Sequence, residues 1–367
     1  MSTTADRQKT IFILGATGYL GSQFLVLLGR KSLGYHVVAL VRNLDPEGKK
    51  LGQLRAIYED LEVVEGTLED KEVIEREAEK AKYVVNSASS DHPASVLAVL
   101  AGLTKQSAAH PGDPPLCIHV SGLGILHDKA RGEFLEESAI PRYSDIGFDL
   151  AKLDPDAAHM NCDKEIAAAG ARKENPIRTI TAHPGWIYGV GEGITKGSAA
   201  IRVFLSVCKV AGFMGTWGPG YNAMSTIHVK DAANALLTIF EAALQGKADE
   251  GAEGHYFLST DGPYVSMREV TKIIGDIMFK HGIYSQGGTQ PLPAAATELF
   301  GESKRPYSVI WKVGWHLMGG NERVNPQRLK KLGWVPVETK KLPLLESLPA
   351  EVEVAIQEQN VLVQKVL

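Results

Sequence analysis

Cysteine is scarce in this chain. The three it has, Cys117, Cys162 and Cys208, are widely spaced and odd in number. They outline neither a disulfide framework nor a zinc pattern, so a reducing cytosol fits and a cytoplasmic location is expected. An excess of one charge is also lacking. The formal net charge is -4, with both signs spread over 367 residues. That argues against a nucleic-acid partner and against an anionic membrane surface. No apolar run is long enough to span a bilayer. The first nine residues are polar and carry no apolar core, so no secretory signal is expected. Histidines such as His119, His127 and His183 have no metal-ligand spacing, so they read as structural or surface groups and no metal is expected. What remains is 44% hydrophobic and 22% charged, an ordinary globular composition on a chain long enough to bury a large core.

The informative stretch is TIFILGATGYLGS, residues 10–22. An apolar, β-branched run from Thr10 to Leu14 ends in Gly15, and Gly18 and Gly21 follow. The next residues, Gln23 to Leu28, have helical character, so the pattern reads as buried strand, glycine turn and helix. A helix start exposes unpaired N–H groups that attract phosphate, and glycine lets backbone approach a pyrophosphate closely. The spacing G-x-x-G-x-x-G is one residue off the usual dinucleotide fingerprint. A second strand, His36–Val41, ends at Arg42, with no Asp or Glu before Asp45. A carboxylate there would bind the ribose hydroxyls of NAD, whereas a guanidinium pairs with a 2′-phosphate. NADP is therefore expected, a solvated surface Arg42 being the plain alternative.

Further strands are expected at Leu61–Glu65, Tyr83–Asn86, Leu116–Val120 and Arg178–Ala182, with helices over 69–82 and 94–108 between them. Such alternation implies βαβ units in a doubly wound parallel sheet, an α/β fold whose ligands bind at the C-terminal strand ends. Gly15, Arg42, Ser87 and Ser121 fall on that edge. Residues 123–153 look irregular. A helix then reads as starting at Asp154-Pro155 and ending at Gly170. Later elements are expected at 198–210, 225–229, 230–244, 255–259, 266–280, 326–332 and 344–358.

The ordered set GATGYLG, a serine-ended fifth strand, HPGWIYGVG, STIHVKDAANA and RLKKLGW resembles the extended short-chain dehydrogenase/reductase superfamily over residues 9–340. Epimerase/dehydratase, dihydroflavonol-reductase-like and NmrA-like proteins belong to that group. The resemblance implies a Rossmann domain with a smaller C-terminal substrate domain. The division expected is 7–185 plus 225–262 for the NADP-binding part and 186–224 plus 263–367 for the substrate part. It implies cofactor contacts from Gly15, Thr17, Gly18, Tyr19, Leu20, Gly21, Arg42, Ser87, Ala88, Ser89, Pro184, Gly185 and Ile187. Residues His228 to Asp231 would lie where the two parts meet. Homodimers occur in such proteins, so a homodimer is among the expectations.

The family's catalytic Tyr-x-x-x-Lys pair is missing between Ser121 and the sixth strand. Alignment of AHMNCDKEIAAAG puts His159 at the Tyr position and Asp163 at the Lys position, one turn apart on a shared helix face. A histidine titrates near neutrality and can act as acid or base, and a carboxylate one turn away would orient it. Ser121, by resemblance, would hydrogen-bond the substrate oxygen. The plain alternatives are a surface His–Asp pair and a turn-forming Ser121. Lys164 points off the His159 face, and Tyr143 would have to swing in from the irregular segment. Aromatic stretches at Phe213–Tyr221 and Tyr307–Met318 line either an apolar pocket or a core. The leading expectation is an NADP-dependent reductase acting on a carbonyl-type group of a small, largely apolar molecule. A non-redox isomerase, cyclase or lyase and a non-enzymatic NADP-sensing regulator are the alternatives.

Overall fold

In the computed structural model, which describes residues 9–45, 47–260, 262, 264–294, 297 and 318–363, Thr10–Leu14 forms β1 at the middle of a seven-stranded sheet. Its side chains alternate between two apolar layers. Ile11 and Ile13 enter one, and Phe12 and Leu14 the other. A strand buried on both faces needs no polar positions, which is why TIFIL shows none.

The chain continues through α1 (Tyr19–Lys31), β2 (His36–Val41), α2 (Lys49–Ile57), β3 (Leu61–Glu65), α3 (Lys71–Lys80), β4 (Tyr83–Asn86), α4 (Pro93–Ala109) and β5 (Leu116–Val120). After β6 (Arg142–Ser144) come α5 (Met160–Gly170), β7 (Arg178–Pro184), β8 (Trp186–Tyr188), α6 (Ala199–Ala211), β9 (Gly215–Thr216) and β10 (Thr226–His228). Then follow α7 (Val229–Leu244), β11 (His255–Leu258), α8 (Met267–Lys280), β12 (Gln290–Pro291) and β13 (Arg323–Asn325). The short helices α9 (Gln327–Lys331) and α10 (Glu338–Lys341) lead into α11 (Leu344–Val363).

The large sheet has the order β11-β7-β5-β4-β1-β2-β3, and every pairing in it is parallel. Helices cover both faces. Phe24 and Leu25 of α1 pack with Leu236 and Phe240 of α7 on one side. Ile74 of α3, Val99 and Leu103 of α4 and Ile166 of α5 pack on the other. The doubly wound parallel sheet expected from the sequence is the fold. A further apolar cluster joins Trp186, Phe204, Met214, Trp217, Ile274 and Leu348.

Three local expectations are corrected. The helix read as starting at Asp154 starts at Met160; Asp154 instead closes a turn, its Oδ1 accepting from Asp156 N (3.0 Å). The segment read as irregular contains β6, which pairs in parallel with β13. Helix α2 gave no periodic signal because Leu54 alone of its residues is buried. Of the aromatic stretches, Met214 and Trp217 are core, while Tyr307, Trp311 and Trp315 lie outside the described residues.

Close packing of α3 on α4 supplies a test in which two effects oppose each other. A Cβ at Gly102 would lie 2.2 Å from the Glu75 carbonyl oxygen and 2.8 Å from Ala78 Cβ. Helix propensity alone makes Gly102→Ala stabilising by about 1 kcal/mol. Overpacking costs about 1–3 kcal/mol, and here the obstacle is backbone. Urea unfolding is therefore expected to show a lower midpoint for the variant; a higher one would mean that α3 can retreat without cost.

Candidate active site

Beside β1 the winding of the sheet reverses, with β2 on one side and β4 on the other, and a crevice opens at their C-terminal ends. Gly15 turns the chain there with φ +87°. A Cβ at Gly15 would meet the Ser87 carbonyl at 2.6 Å, and one at Gly21 would meet Gly15 O at 2.2 Å and Ser87 Oγ at 2.5 Å. Ser87 completes the crossing, its N and Oγ both donating to Leu14 O (2.9 and 3.0 Å). Gly18 is the N-cap of α1, and no side chain caps that first turn. Its amide groups remain available to an anion. Leu20 is buried at this turn, Ala88 is exposed, and Ser89 Oγ accepts from Asp91 N (3.3 Å).

Arg42 is exposed at the end of β2. The nearby carboxylates are already engaged: Asp45 accepts from Lys49 N (2.6 Å) and Lys50 N (3.0 Å), and Glu65 from Leu44 N (3.1 Å). Lys50 Nζ donates to the carbonyls of Arg42 and Asn43 (2.8 and 2.6 Å), which adds a second cation beside the guanidinium. The glycine-shaped turn, the uncapped helix start and this basic corner fit the phosphates of a dinucleotide.

A loop after β8 closes on α1. Thr195 Oγ1 donates to Thr17 O (2.8 Å), Ile194 N to Ser22 Oγ (3.0 Å) and Glu192 N to Gln23 Oε1 (2.7 Å). Tyr19 Oη donates to Gly189 O. Glu358 of α11 holds the far side, accepting from Lys196 N, Gly197 N and Arg202 Nη1 (2.9, 3.2 and 3.1 Å).

Next to this turn is a cavity of about 280 Å³ lined by Tyr19, Ser121, Gly122, His159, Pro184, Gly185, Trp186, Ile187, Phe204, Met224, Met318 and Glu322, among others. Ser121 and His159 are therefore brought together, as are Pro184, Gly185 and Ile187. Gly122 is what lets the histidine in, since a Cβ there would lie 2.8 Å from His159 Nε2. Asp163 does not line this cavity and does not hold His159. Its Oδ2 accepts from Ser121 Oγ (2.7 Å) behind the wall. The partner of His159 is Asp91, whose Oδ2 accepts from Nδ1 (2.9 Å) and whose Oδ1 accepts from the backbone N (3.0 Å). The reason is backbone geometry: His159 is the N-cap of α5 with φ +69°, so the shared-face spacing expected from a continuous helix does not apply. Tyr143 sits on β6 and Lys164 is exposed beside a different cavity.

Among the described residues, Asp163 has no charged partner within ion-pair distance. His119 Nε2 and His183 Nδ1 stand 3.8 and 3.7 Å from its oxygens, and all three side chains are fully buried. The histidines are not surface groups. His255 Nε2 donates to Ala252 O (3.1 Å), which leaves His255 Nδ1 to accept from His183 Nε2 (2.9 Å). His183 then presents a bare Nδ1 to Asp163. Burial pushes His119 down to about 4 and His183 well below its ordinary range, so both are neutral. Burial likewise raises Asp163 to about 7, against the lowering by the charge of His159 and the Ser121 hydrogen bond. For His159, burial pulls downward, but the hydrogen bond and charge of Asp91 outweigh it and the net shift is upward.

A model of the NmrA-like family matches residues 7–96. The protein named Oxidase ucsJ, from Acremonium sp, is 27% identical over 365 residues, covering 96% of this chain and 97% of that one. Among solved structures, UDP-glucose 4-epimerase of Thermotoga maritima with UDP-glucose aligns with TM-score 0.60 at 16% identity, covering 95% of this chain and 99% of that one. DesIV, the dTDP-glucose 4,6-dehydratase of Streptomyces venezuelae with NAD and TYD bound, aligns with TM-score 0.61 at 14% identity, covering 96% and 98%. These likenesses show the fold: the chain has the Rossmann-type α/β architecture of the epimerase and dehydratase structures.

Two site residues, Asp91 and Glu322, escape sequence reading. Asp91 lies five residues past β4, on the edge where ligands are expected, so the edge rule could have flagged it. Glu322 lines the cavity from 200 positions downstream of Ser121 and carries no local signal. His228 and Asp231 act as caps: His228 Nδ1 accepts from Lys230 N (3.2 Å), and Asp231 takes the N–H groups of Val337, Glu338 and Thr339 (3.1, 3.1 and 2.6 Å). Among the described residues, no cluster could hold a metal ion, and no helix is long and apolar enough to cross a membrane.

Proposed function

We propose that the chain is an NADP-dependent oxidoreductase acting on a carbonyl-type group of a small, largely apolar molecule. The carrying observation is that Ser121 and His159 meet in one largely apolar cavity beside Pro184 and Gly185, next to the glycine turn. The amides of Tyr19 to Gly21 would take the pyrophosphate, and Arg42 with Lys50 the 2′-phosphate. When bound, the nicotinamide supplies the hydride.

The chain's own part is to serve the substrate oxygen. Ser121 Oγ orients it. Behind Ser121, the raised carboxyl of Asp163 is partly protonated near neutrality and donates to Ser121 Oγ in that form, freeing the serine hydrogen for the substrate. His159, held by Asp91 through Nδ1, has Nε2 left for the cavity and delivers the proton to the oxygen as it gains charge. Asp163 and Asp91 are thus positioning residues, and Ser121 and His159 the catalytic ones. The apolar wall excludes water and strengthens both interactions.

The test is loss of the reduced-cofactor absorbance with a panel of hydrophobic ketones and aldehydes. His159→Ala is expected to lose about 10²–10⁴ of turnover, the range of a positioned acid–base group. Full activity in that variant overturns the assignment. Asp91→Asn separates positioning from structure. Reduction by wild type should fall as pH rises through the pKa of His159, which stands above its ordinary value. Removing Asp91 takes away the raising influence, so the inflection should move to lower pH. An unmoved inflection would assign Asp91 to packing alone. Chemical conversion with the dinucleotide bound but unconsumed would replace this reading with a non-redox one.

A further inference from the structure

The mechanism leaves one polar group of the cavity unused. Glu322 lies just before β13, and its side chain is 1% exposed. It lines the cavity, and its Oε1 has no hydrogen-bond partner among the described residues. Its neighbour is His127, with Nε2 3.3 Å from Oε2. His127 Nδ1 lies 2.9 Å from Gly124 O, and a carbonyl only accepts, so Nδ1 carries its hydrogen. The Nε2 to Oε2 contact then needs one shared proton. Wherever that proton sits, on the imidazole or on Oε2, the other carboxyl oxygen stays an acceptor.

Charge around the cavity is unbalanced in the same sense. Asp91 stands beside it paired with His159, Glu322 lines it, and Asp163 lies behind the wall with its carboxyl raised to about 7. His159 answers Asp91, while His119 and His183 are held neutral by burial. Burial also pushes Glu322 upward, with His127, the Ser225 backbone N–H and the charge of His159 only partly opposing it. The facing wall is aromatic: Trp186 and Phe204 stack at 5.5 Å and both line the cavity. A buried carboxylate with an aromatic wall suits an ammonium group, which gains from the charge and from the ring faces together.

We propose that this cavity takes a substrate bearing a protonated amine, seated on Glu322, with its apolar body against Trp186, Phe204 and Met318. The inference rests on the cavity being the substrate site of the proposed reaction and adds the substrate's chemical class. At about 280 Å³ the space admits a small molecule, near the lower end of ligand pockets.

The test reads binding rather than turnover. Cyclohexylmethylamine and its neutral isostere cyclohexylmethanol are titrated calorimetrically into the full chain at pH 7.5, with and without NADP⁺. The amine is expected to bind at least tenfold more tightly than the alcohol. Glu322→Gln should abolish that preference while keeping the alcohol's affinity, which also reports an intact cavity. Equal affinities in wild type, binding of neither probe, or a preference that survives in Glu322→Gln each overturn the proposal. The wild-type comparison stands by itself if the variant does not fold. Because no hydride is followed, a ketone and aldehyde panel that never consumes reduced cofactor would remove the redox reading and leave this one in place.

Discussion

At pH 8, Asp163→Asn is expected to unfold at higher urea concentration than wild type while losing most of its turnover. The sign follows from linkage. Asp163 titrates at about 7 when folded, against about 4 for an unfolded aspartate. Between those values the folded chain keeps a proton that the unfolded chain releases. Wild-type stability therefore drops as pH rises from about 4 to about 7 and stays low above. The gap corresponds to about 4 kcal/mol at most. Asparagine has no such titration, and its amide can donate toward the bare Nδ1 of His183. Unfolding free energies of the two proteins should be similar at pH 4.5 and diverge by a few kcal/mol at pH 8. Parallel pH profiles would show that Asp163 is ionised in the fold with a partner. Comparison of the two proteins isolates this group from Glu351, which burial also raises to about 7. The instability is the counterpart of function: a carboxyl that stays partly protonated at neutral pH can donate to Ser121, and an ordinary one cannot.

Gly15→Ala should abolish dinucleotide binding and come near to abolishing the fold. Alanine would have to adopt φ +87° with its Cβ 2.6 Å from the Ser87 carbonyl. Left-handed backbone and overpacking against main chain together cost on the order of 3 kcal/mol. The strands cannot separate to relieve the clash, because Ser87 N and Oγ both hold Leu14 O. Any folded fraction should bind NADPH at least roughly a hundredfold more weakly by calorimetry, because the phosphate turn is displaced. Gly21→Ala should behave alike, although helix propensity favours alanine there by about 1 kcal/mol. Unchanged affinity in both variants would place the dinucleotide elsewhere.

The parts legible in the sequence are those written locally. Strands β1 to β5 match residue for residue, since each is a short apolar run closed by a turn, and their order gives the parallel winding. Ser121 follows β5 directly, and His159 opens the next long helix, so both carry a local signal. The partners were harder. Asp163 was assigned to His159 from a spacing of four, which holds only inside a continuous helix, and the left-handed His159 interrupts it. Asp91 reaches His159 across 68 positions of sequence, and Glu322 meets His127 across nearly 200. Such pairings are fixed by tertiary packing, which leaves no period to read. Of the two readings open for His119 and His183, structural or surface, the fold selects the structural one, and no spacing distinguishes a histidine on a core strand from one on a loop.

The loop bonded to Thr17, Ser22 and Gln23 has its opposite side fastened by Glu358, far downstream in α11. With the dinucleotide of the proposed function at that turn, a single acidic side chain near the end of the described chain would serve as a clasp beside it. Loosening it would speed exchange and weaken retention together, so the pace of a full cycle would answer to a residue that touches neither reactant.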